Sequence, residues 1–329
     1  MIKKQKKEPF VDLSSVEAKE VSWLMPPIIP YGMITVMEGD PGIGKSFLAM
    51  HIAAQISIGG KLPGVPKVPK GRVLYISAED DPAYTIRPRI DAMGGDPKRI
   101  RIQGDYTALD EAGLKALFAE VRRKPPTLII IDPLFAYVGS DKDMYRPNVI
   151  RALLSELKEI AEETGTAILL VRHLTKTKRD KAIYQGMGSM DVIGAARSAF
   201  LVTVHPDYPD QRLMLHVKHN IAERGQSWAY ELKKEDEDAM PVLNWIGPSH
   251  ITVDDLMMRE EGGRKSAIDE AKDFLKAELE DRSQSAAEIS KKAESRQISK
   301  RTLDRAREEI GVISRKRRKE WIWSLPDDK

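Results

Sequence analysis

Residues 36–53 read VMEGDPGIGKSFLAMHIA. A short apolar run enters a glycine-rich turn, and the turn closes on Gly44-Lys45-Ser46 before helical spacing begins. Gly39-Asp40-Pro41-Gly42-Ile43-Gly44-Lys45-Ser46 fits G-x-x-x-x-G-K-[ST] without a gap, after a strand and at the start of a helix. Glycines let backbone N–H groups converge on phosphate oxygens, and the helix N-terminus adds partial positive charge. The nucleotide-binding stretch is expected to run from Gly39 to Phe47, with Lys45 reaching the β- and γ-phosphates of ATP and the Ser46 hydroxyl ligating Mg²⁺.

Outward from that stretch, strand-like and helix-like runs alternate. MITVME leads into the helix from Lys45, RVLYIS precedes AYTIRPRIDAM, and RIRIQ precedes LDEAGLKALFAEV. TLIIID precedes RPNVIRALLSELKEIAEE, whose Ile150, Leu153, Leu157 and Ile160 form one apolar stripe, and AILLVRH follows. TLIII and AILLV are continuous apolar runs, as in strands covered on both faces of a parallel sheet. After about residue 198, AFLVTV, RLMLHVKH, SWAYEL and VLNWI succeed one another, which predicts an antiparallel extension at the sheet's edge. The expected organisation is a basic arm and helix over 1–30, an α/β core over 31–250, a linker over 251–265 and a C-terminal module over 266–329. In the arm, Ser14 and Glu17 have capping-box spacing, and the Pro-rich WLMPPIIPYG then breaks the chain.

A length of 329 residues suits one large domain and a smaller one, and 41% hydrophobic with 31% charged residues is a soluble globular composition. The absence of cysteine removes disulfides, thiolate zinc sites and cysteine nucleophiles, and it suits a reducing cytoplasm, the expected compartment. No apolar run approaches the roughly 20 residues of a membrane span, so no membrane association is expected. MIKKQKKEPF is basic without a following apolar segment, unlike a secretory signal. A net charge of +3 says little about nucleic acid, so local clustering has to decide.

Hydrolysis needs a metal-associated acid and a group that orients water. Asp132, ending TLIIID, is the candidate for the first, but Pro133 follows it where a second carboxylate would be convenient. Glu79 in RVLYISAEDDP lies just past a neighbouring strand, and carboxyl ends of parallel strands gather at one edge. Asp80 is the alternative, although Asp80 and Asp81 equally suit a helix start.

EGDPGIGKS, YISAEDDP, LIIIDPL, LLVRHLTK and GSMDVIGAARSAFLV, in that order, resemble the RecA/DnaB-like motor ATPases over about residues 20–235. The closest resemblance is to RepA-type hexameric replicative helicases of plasmids and related mobile elements. It implies a RecA-like P-loop NTPase core with a mostly parallel sheet, using ATP and Mg²⁺. By the same resemblance Glu79 is the catalytic base and Asp132 the Mg²⁺-associated acid. His173 is the sensor that couples the γ-phosphate to DNA-binding loops, and Arg197 is an arginine finger inserted into the next subunit's site. A lone histidine at a strand end is also explained as a satisfied polar residue. Arg197 amid GAARSAFLV calls for a carboxylate or phosphate partner. Lys218 in LHVKHN is either an exposed strand lysine or a second group acting in trans.

Two loops follow strands at the nucleotide edge, YVGSDKDMYRPN after Asp132 and TKTKRDKAIYQGMGSM after His173. The second carries Lys176, Lys178, Arg179 and Lys181 with Gly186 and Gly188; it suits the phosphate backbone of single-stranded DNA, or simply a solvated surface. In the C-terminal module, three apolar stripes predict three short helices: Ile268, Ala271, Leu275 and Leu279; Ala286, Ile289 and Ala293; Leu303, Ala306 and Ile310. Ser285 and Glu288 again have capping-box spacing. The third helix places Arg301 and Arg305 away from its apolar stripe, with Lys300 beside them, and a basic hairpin tip follows at Arg315, Lys316, Arg317, Arg318 and Lys319. Residues 296–319 hold ten Lys/Arg against three Asp/Glu. This pattern resembles a winged helix-turn-helix, whose third helix enters the major groove of duplex DNA while the wing meets the backbone.

Together these features predict an ATP-dependent motor on single-stranded DNA, a RepA/DnaB-like replicative helicase working as a homo-oligomeric, hexameric ring. The basic N-terminal arm would lace neighbouring subunits together. Two alternatives stay open: a recombinase-like or regulatory ATPase that uses ATP as an assembly switch, and an origin-recognition protein whose nucleotide site controls assembly.

Overall fold

The computed structural model describes residues 10–104, 108–137, 147–174, 191–260, 267–280, 283–296, 298–317 and 320–326. The chain opens on a short hairpin, β1 (Trp23–Met25) and β2 (Ile29–Pro30), followed by β3 (Ile34–Gly39) and α1 (Lys45–Ile58). Next come β4 (Val73–Ser77), α2 (Arg87–Ala92), β5 (Ile100–Ile102), α3 (Glu111–Arg123), β6 (Leu128–Asp132), α4 (Pro147–Thr164) and β7 (Ala167–His173). They are followed by α5 (Asp191–Ala195), β8 (Ser198–His205), β9 (Tyr208–His219), β10 (Ser227–Lys233) and β11 (Val242–Ser249).

Strands β3 to β11 form one nine-stranded sheet in the order β11-β10-β9-β8-β3-β7-β6-β4-β5. Every pairing from β8 across to β5 is parallel, and β9, β10 and β11 extend it antiparallel, as the succession of strands after residue 198 implies. Successive side chains of a strand point to opposite faces, so the continuous apolar runs feed two cores at once. Met37, Ile130 and Leu169 pack under α1 and α2; Val36, Ile131 and Leu170 pack under α3, α4 and α5. The stripe of Ile150, Leu153, Leu157 and Ile160 on α4 is buried as its spacing requires. Each such side chain contributes about 1.5–3 kcal/mol by leaving water. This is the mixed α/β, mostly parallel core of a RecA-like phosphate-loop protein. Its architecture carries the carboxyl ends of β3, β4, β6 and β7 to one edge.

Three local expectations change. Residues 13–15 form a single 3₁₀ turn rather than a capped helix. Phe10, Val11, Leu13 and Val16 are all exposed, so no buried apolar face supports a longer helix there. WLMPPIIPYG does more than break the chain: Leu24, Met25, Ile28 and Ile29 are buried in the first core. The stretch expected as linker contains α6 (Val253–Glu260), which packs Val253, Leu256 and Met257 onto Leu213 and Leu215. Its start is a reciprocal cap, Asp255 N–H donating to Thr252 Oγ1 at 3.2 Å and Thr252 N–H to Asp255 Oδ2 at 2.9 Å.

Beyond it lie α7 (Ala267–Leu279), β12 (Gln284–Ser285), α8 (Ala286–Ser295), α9 (Lys300–Glu309), β13 (Ile313–Arg317) and β14 (Glu320–Ser324). The strands form a separate antiparallel sheet in the order β12-β14-β13. The three helical stripes meet Phe274 and Trp323 in a core of their own. Ser285 stands at the N-cap of α8 without a side-chain bond, whereas Ser299 caps α9 by accepting from Thr302 N–H at 3.1 Å. Among the described residues no helix is long and apolar enough to cross a membrane.

Candidate nucleotide site

The loop between β3 and α1 is shaped by its glycines. Gly42 and Gly44 adopt φ of 75° and 96°, a left-handed region costly for other residues. A Cβ at Gly39 would lie 2.3 Å from the Val202 carbonyl oxygen on β8, so a larger residue would push the two strands apart. Lys45 opens α1 and is 4% exposed. Its Nζ folds back on the loop, donating to the Gly39 and Asp40 carbonyls at 2.9 and 2.7 Å. Burial pulls its pKa down to about 8, against the opposing charges of Asp132, Asp40 and Glu79.

The acids approach from β6 and β4. Asp132 ends β6, is 3% exposed, and accepts from the Tyr75 hydroxyl at 2.8 Å. Burial pushes its carboxyl upward, hydrogen bonds from Ser46 and Tyr75 pull it down, and Glu79 raises it again. Ser77 pairs with Asp132 across β4 and β6, which sets Glu79 two residues beyond that register. The Glu79 side chain is 61% exposed, with Oε1 at 3.8 Å from His173 Nε2. His173 ends β7, opposite Gly39 in register. Burial and then Lys45 lower its pKa, so its imidazole is neutral at neutral pH. Asp80 is engaged by Arg89 at 3.5 Å, and Asp81 accepts from the Ala83 and Tyr84 N–H groups at 2.8 Å as a turn cap. Of the three acids Glu79, Asp80 and Asp81, Glu79 is the one left open to a ligand.

Lys45, Ser46, Glu79, Asp132 and His173 therefore share one sheet edge. Arg197 does not. It precedes β8 at the opposite, amino edge, where its N–H bonds the Ile34 carbonyl, and it is exposed. The length of β3 separates it from its own loop by roughly 15 Å, at about 3.3 Å per residue. Lys218 lies at the same amino edge, opposite Ala199, and its Nζ donates to the Ile193 and Gly194 carbonyls at 2.5 and 3.0 Å, closing the end of α5. Lys176, Lys178, Arg179 and Lys181 fall outside the described residues, as do Arg318, Lys319 and the Arg301 side chain. Lys300, Arg315, Lys316 and Arg317 are exposed. Arg305 is instead half-buried against the β8–β9 turn, donating to the Asp207 carbonyl with its guanidinium 5.7 Å over the Tyr208 ring.

Several contributors escaped the motif reading. Tyr75 looks like an ordinary core residue of VLYIS, yet it holds Asp132. Arg89 lies over the Phe47 ring at 4.1 Å and so links the phosphate-loop helix to Asp80. Glu38 and Arg172, directly opposite in β3 and β7, form a buried ion pair next to Gly39 and His173. Two lone charges of opposite sign ending apolar strands were the available signal.

The donor set fits a nucleotide with Mg²⁺. The Asp132 carboxylate and Ser46 hydroxyl are hard oxygen donors already in hydrogen-bond contact, and the Lys45 ammonium rests on neutral carbonyls that phosphate oxygens can replace. Relatives of the chain include proteins named DNA repair protein RadA. That of Streptococcus pneumoniae is 27% identical over 168 residues, 50% of this chain and 36% of the relative. That of Halalkalibacterium halodurans is 31% identical over 176 residues, 52% and 34%, and that of Mycobacterium tuberculosis 29% over 151 residues, 45% and 28%. The match thus spans about a third of the length of these relatives. The family AAA_25, described as an AAA domain, matches residues 4–179, which include the phosphate loop, Glu79, Asp132 and His173. With more than half of its length matched, the chain belongs to this AAA-domain family within the RecA-like phosphate-loop ATPases.

Proposed function

We propose that the chain is an ATP-dependent DNA motor, a RepA/DnaB-like replicative helicase that hydrolyses ATP between subunits of a hexameric ring and moves along single-stranded DNA. The main support is the position of Arg197 at the sheet edge away from its own phosphate loop, with Lys218 beside it. Neither cation can serve its own γ-phosphate, whereas a neighbour's pair can approach the side on which Glu79 is open. The likeness to proteins named for DNA repair supports a DNA-associated ATPase and also favours the rival reading, an ATP switch on DNA without unwinding.

In this scheme Lys45 leaves its carbonyls for the β- and γ-phosphates, and Ser46 and Asp132 would hold Mg²⁺. A divalent ion held there would neutralise phosphate charge. Glu79 takes a proton from the attacking water, and the neighbour's Arg197 meets the charge that develops on the γ-phosphoryl group. His173 shares Glu79 with the nucleotide, so loss of the γ-phosphate changes the residue directly before Leu174 and the basic run Lys176 to Lys181. We assign single-stranded DNA to that run. The three helices, small sheet and basic tip of residues 266–329 support a winged-helix-like module for duplex DNA. The exposed apolar residues Phe10, Val11, Leu13 and Val16 support the lacing role of the N-terminal arm.

ATP hydrolysis tests the scheme, measured with and without single-stranded DNA on the parent, Arg197→Ala, Glu79→Ala and an equimolar mixture of the two variants. Each variant alone is expected to lose at least about 100-fold in turnover. The mixture is expected to regain DNA-stimulated activity, because some interfaces then combine an intact base with an intact finger. Full activity of Arg197→Ala alone would eliminate the interface mechanism and leave the switch reading.

A further inference from the structure

The registers of the β13–β14 ribbon sort its side chains onto two faces. Ser314 stands opposite Trp323 and Lys316 opposite Trp321, so these four share one face; Arg315 and Arg317 take the other. The first face turns toward the helices, because Trp323 is buried in the module's core. One pair further toward the ribbon tip, Trp321 overruns that core and is 54% exposed. Beside it, between α8, α9 and the ribbon, is an open cavity of about 480 Å³ bounded by Ser290, Lys300, Asp304, Arg307, Trp321 and Trp323. Arg307 lies 5.1 Å over the Trp323 ring and 3.9 Å from Asp304, Lys300 is exposed on the lining, and Lys316 is exposed across the ribbon from Trp321.

The other side of α9 is occupied. Thr302 Oγ1 is 3.1 Å from the Tyr208 hydroxyl, and Arg305 is held by the Asp207 carbonyl. Arg305, expected to face a major groove, is therefore turned toward the core, while the exposed Lys300 and the half-buried Arg307 border the ribbon cavity. An exposed indole beside a cavity that Lys300 and Arg307 line, with Lys316 opposite it in the ribbon, matches the chemistry of a nucleotide, which offers an apolar π-face next to a phosphate. Bases in a duplex conceal that face in the stack, whereas unpaired ones present it.

We propose that this cavity is a stacking pocket for an unpaired base of single-stranded DNA, with Trp321 as the platform and Lys300, Arg307 and Lys316 as phosphate partners. The proposal rests on the DNA-binding reading of the C-terminal module and changes its ligand from a duplex groove to a strand end or junction. The test uses the full chain with Lys176, Lys178, Arg179 and Lys181 replaced by alanine, which suppresses binding at the core. Fluorescence anisotropy compares a duplex carrying a single-stranded tail with a blunt duplex of equal length, at several salt concentrations. Trp321→Ala is expected to weaken tailed-duplex binding about tenfold with an unchanged salt slope and to leave blunt-duplex binding within about twofold. Trp321→Phe, which keeps a π-face, is expected to retain most of the affinity. Lys316→Ala is expected to lower the salt slope by about one. If Trp321→Ala binds both DNAs like the parent while replacing Lys300, Lys316 and Arg317 together weakens both, the stacking pocket is wrong and the DNA-binding module stands. If the triple replacement also changes nothing, both readings fall.

Discussion

Replacing Arg172 by methionine removes a charge from the interior while keeping much of its volume. Glu38 and Arg172 are 0% and 1% exposed, with Arg172 Nε 2.8 Å from Glu38 Oε2. Burial pushes the Glu38 carboxyl upward, and the guanidinium opposes it. Stranding one member of such a pair costs about 3–5 kcal/mol. A stranded carboxylate can escape by taking up a proton. Without Arg172 its folded pKa lies further above the unfolded value, so its contribution to stability is complete below the unfolded pKa and is lost as pH rises through the folded one. Arg172→Met is therefore expected to be least stable near pH 8 and to recover toward pH 5, by at most about 1.4 kcal/mol per pH unit. Glu38→Gln strands a guanidinium that cannot shed its proton, so its penalty does not recover on acidification. The double replacement Glu38→Leu with Arg172→Met removes both charges and is expected within about 2 kcal/mol of the parent. Urea unfolding followed by circular dichroism at pH 5 to 8 measures all four proteins. A loss under about 1 kcal/mol for Arg172→Met, or a pH profile parallel to the parent's, would refute a stranded carboxylate.

Two further outcomes follow from buried titrating groups. In the nucleotide-free site Lys45 loses its proton around pH 8, whereas phosphates favour the ammonium form. ATP affinity is expected to fall about tenfold from pH 7 to pH 9, measured by titration with a fluorescent ATP analogue. Lys45→Arg, with its fixed charge, should flatten the profile, and a flat parent profile would contradict the burial argument. His51 accepts from Trp245 Nε1 at 3.1 Å and His216 from Gly225 N–H at 2.8 Å, and burial first of all lowers both pKa values to about 4. The unfolded chain binds those protons near pH 6.5, so stability should decline between about pH 6.5 and 4, by up to about 1.4 kcal/mol per pH unit for each histidine. His51→Gln should reduce the slope of stability against pH, and an unchanged slope would locate the acid sensitivity elsewhere.

The amino-acid sequence by itself determined the phosphate loop, the alternation of strands and helices, and the apolar runs that had to be buried on two faces. These are local or periodic features: glycine at left-handed positions, period-two and period-3.6 spacing, and caps. It also placed Glu79, Asp132 and His173 at strand ends, and parallel topology alone then brought them to one edge. Only the tertiary structure decided which groups meet across long sequence separations. Tyr75 reaches Asp132 and Glu38 finds Arg172 because neighbouring strands in the sheet are distant in sequence. The C-terminal module makes the same point. Periodicity located its helices, but the contact of Arg305 and Thr302 with the β8–β9 turn decided which cationic face remains exposed. Charge and spacing specify what a helix can present; packing against the rest of the chain determines what stays open to a ligand.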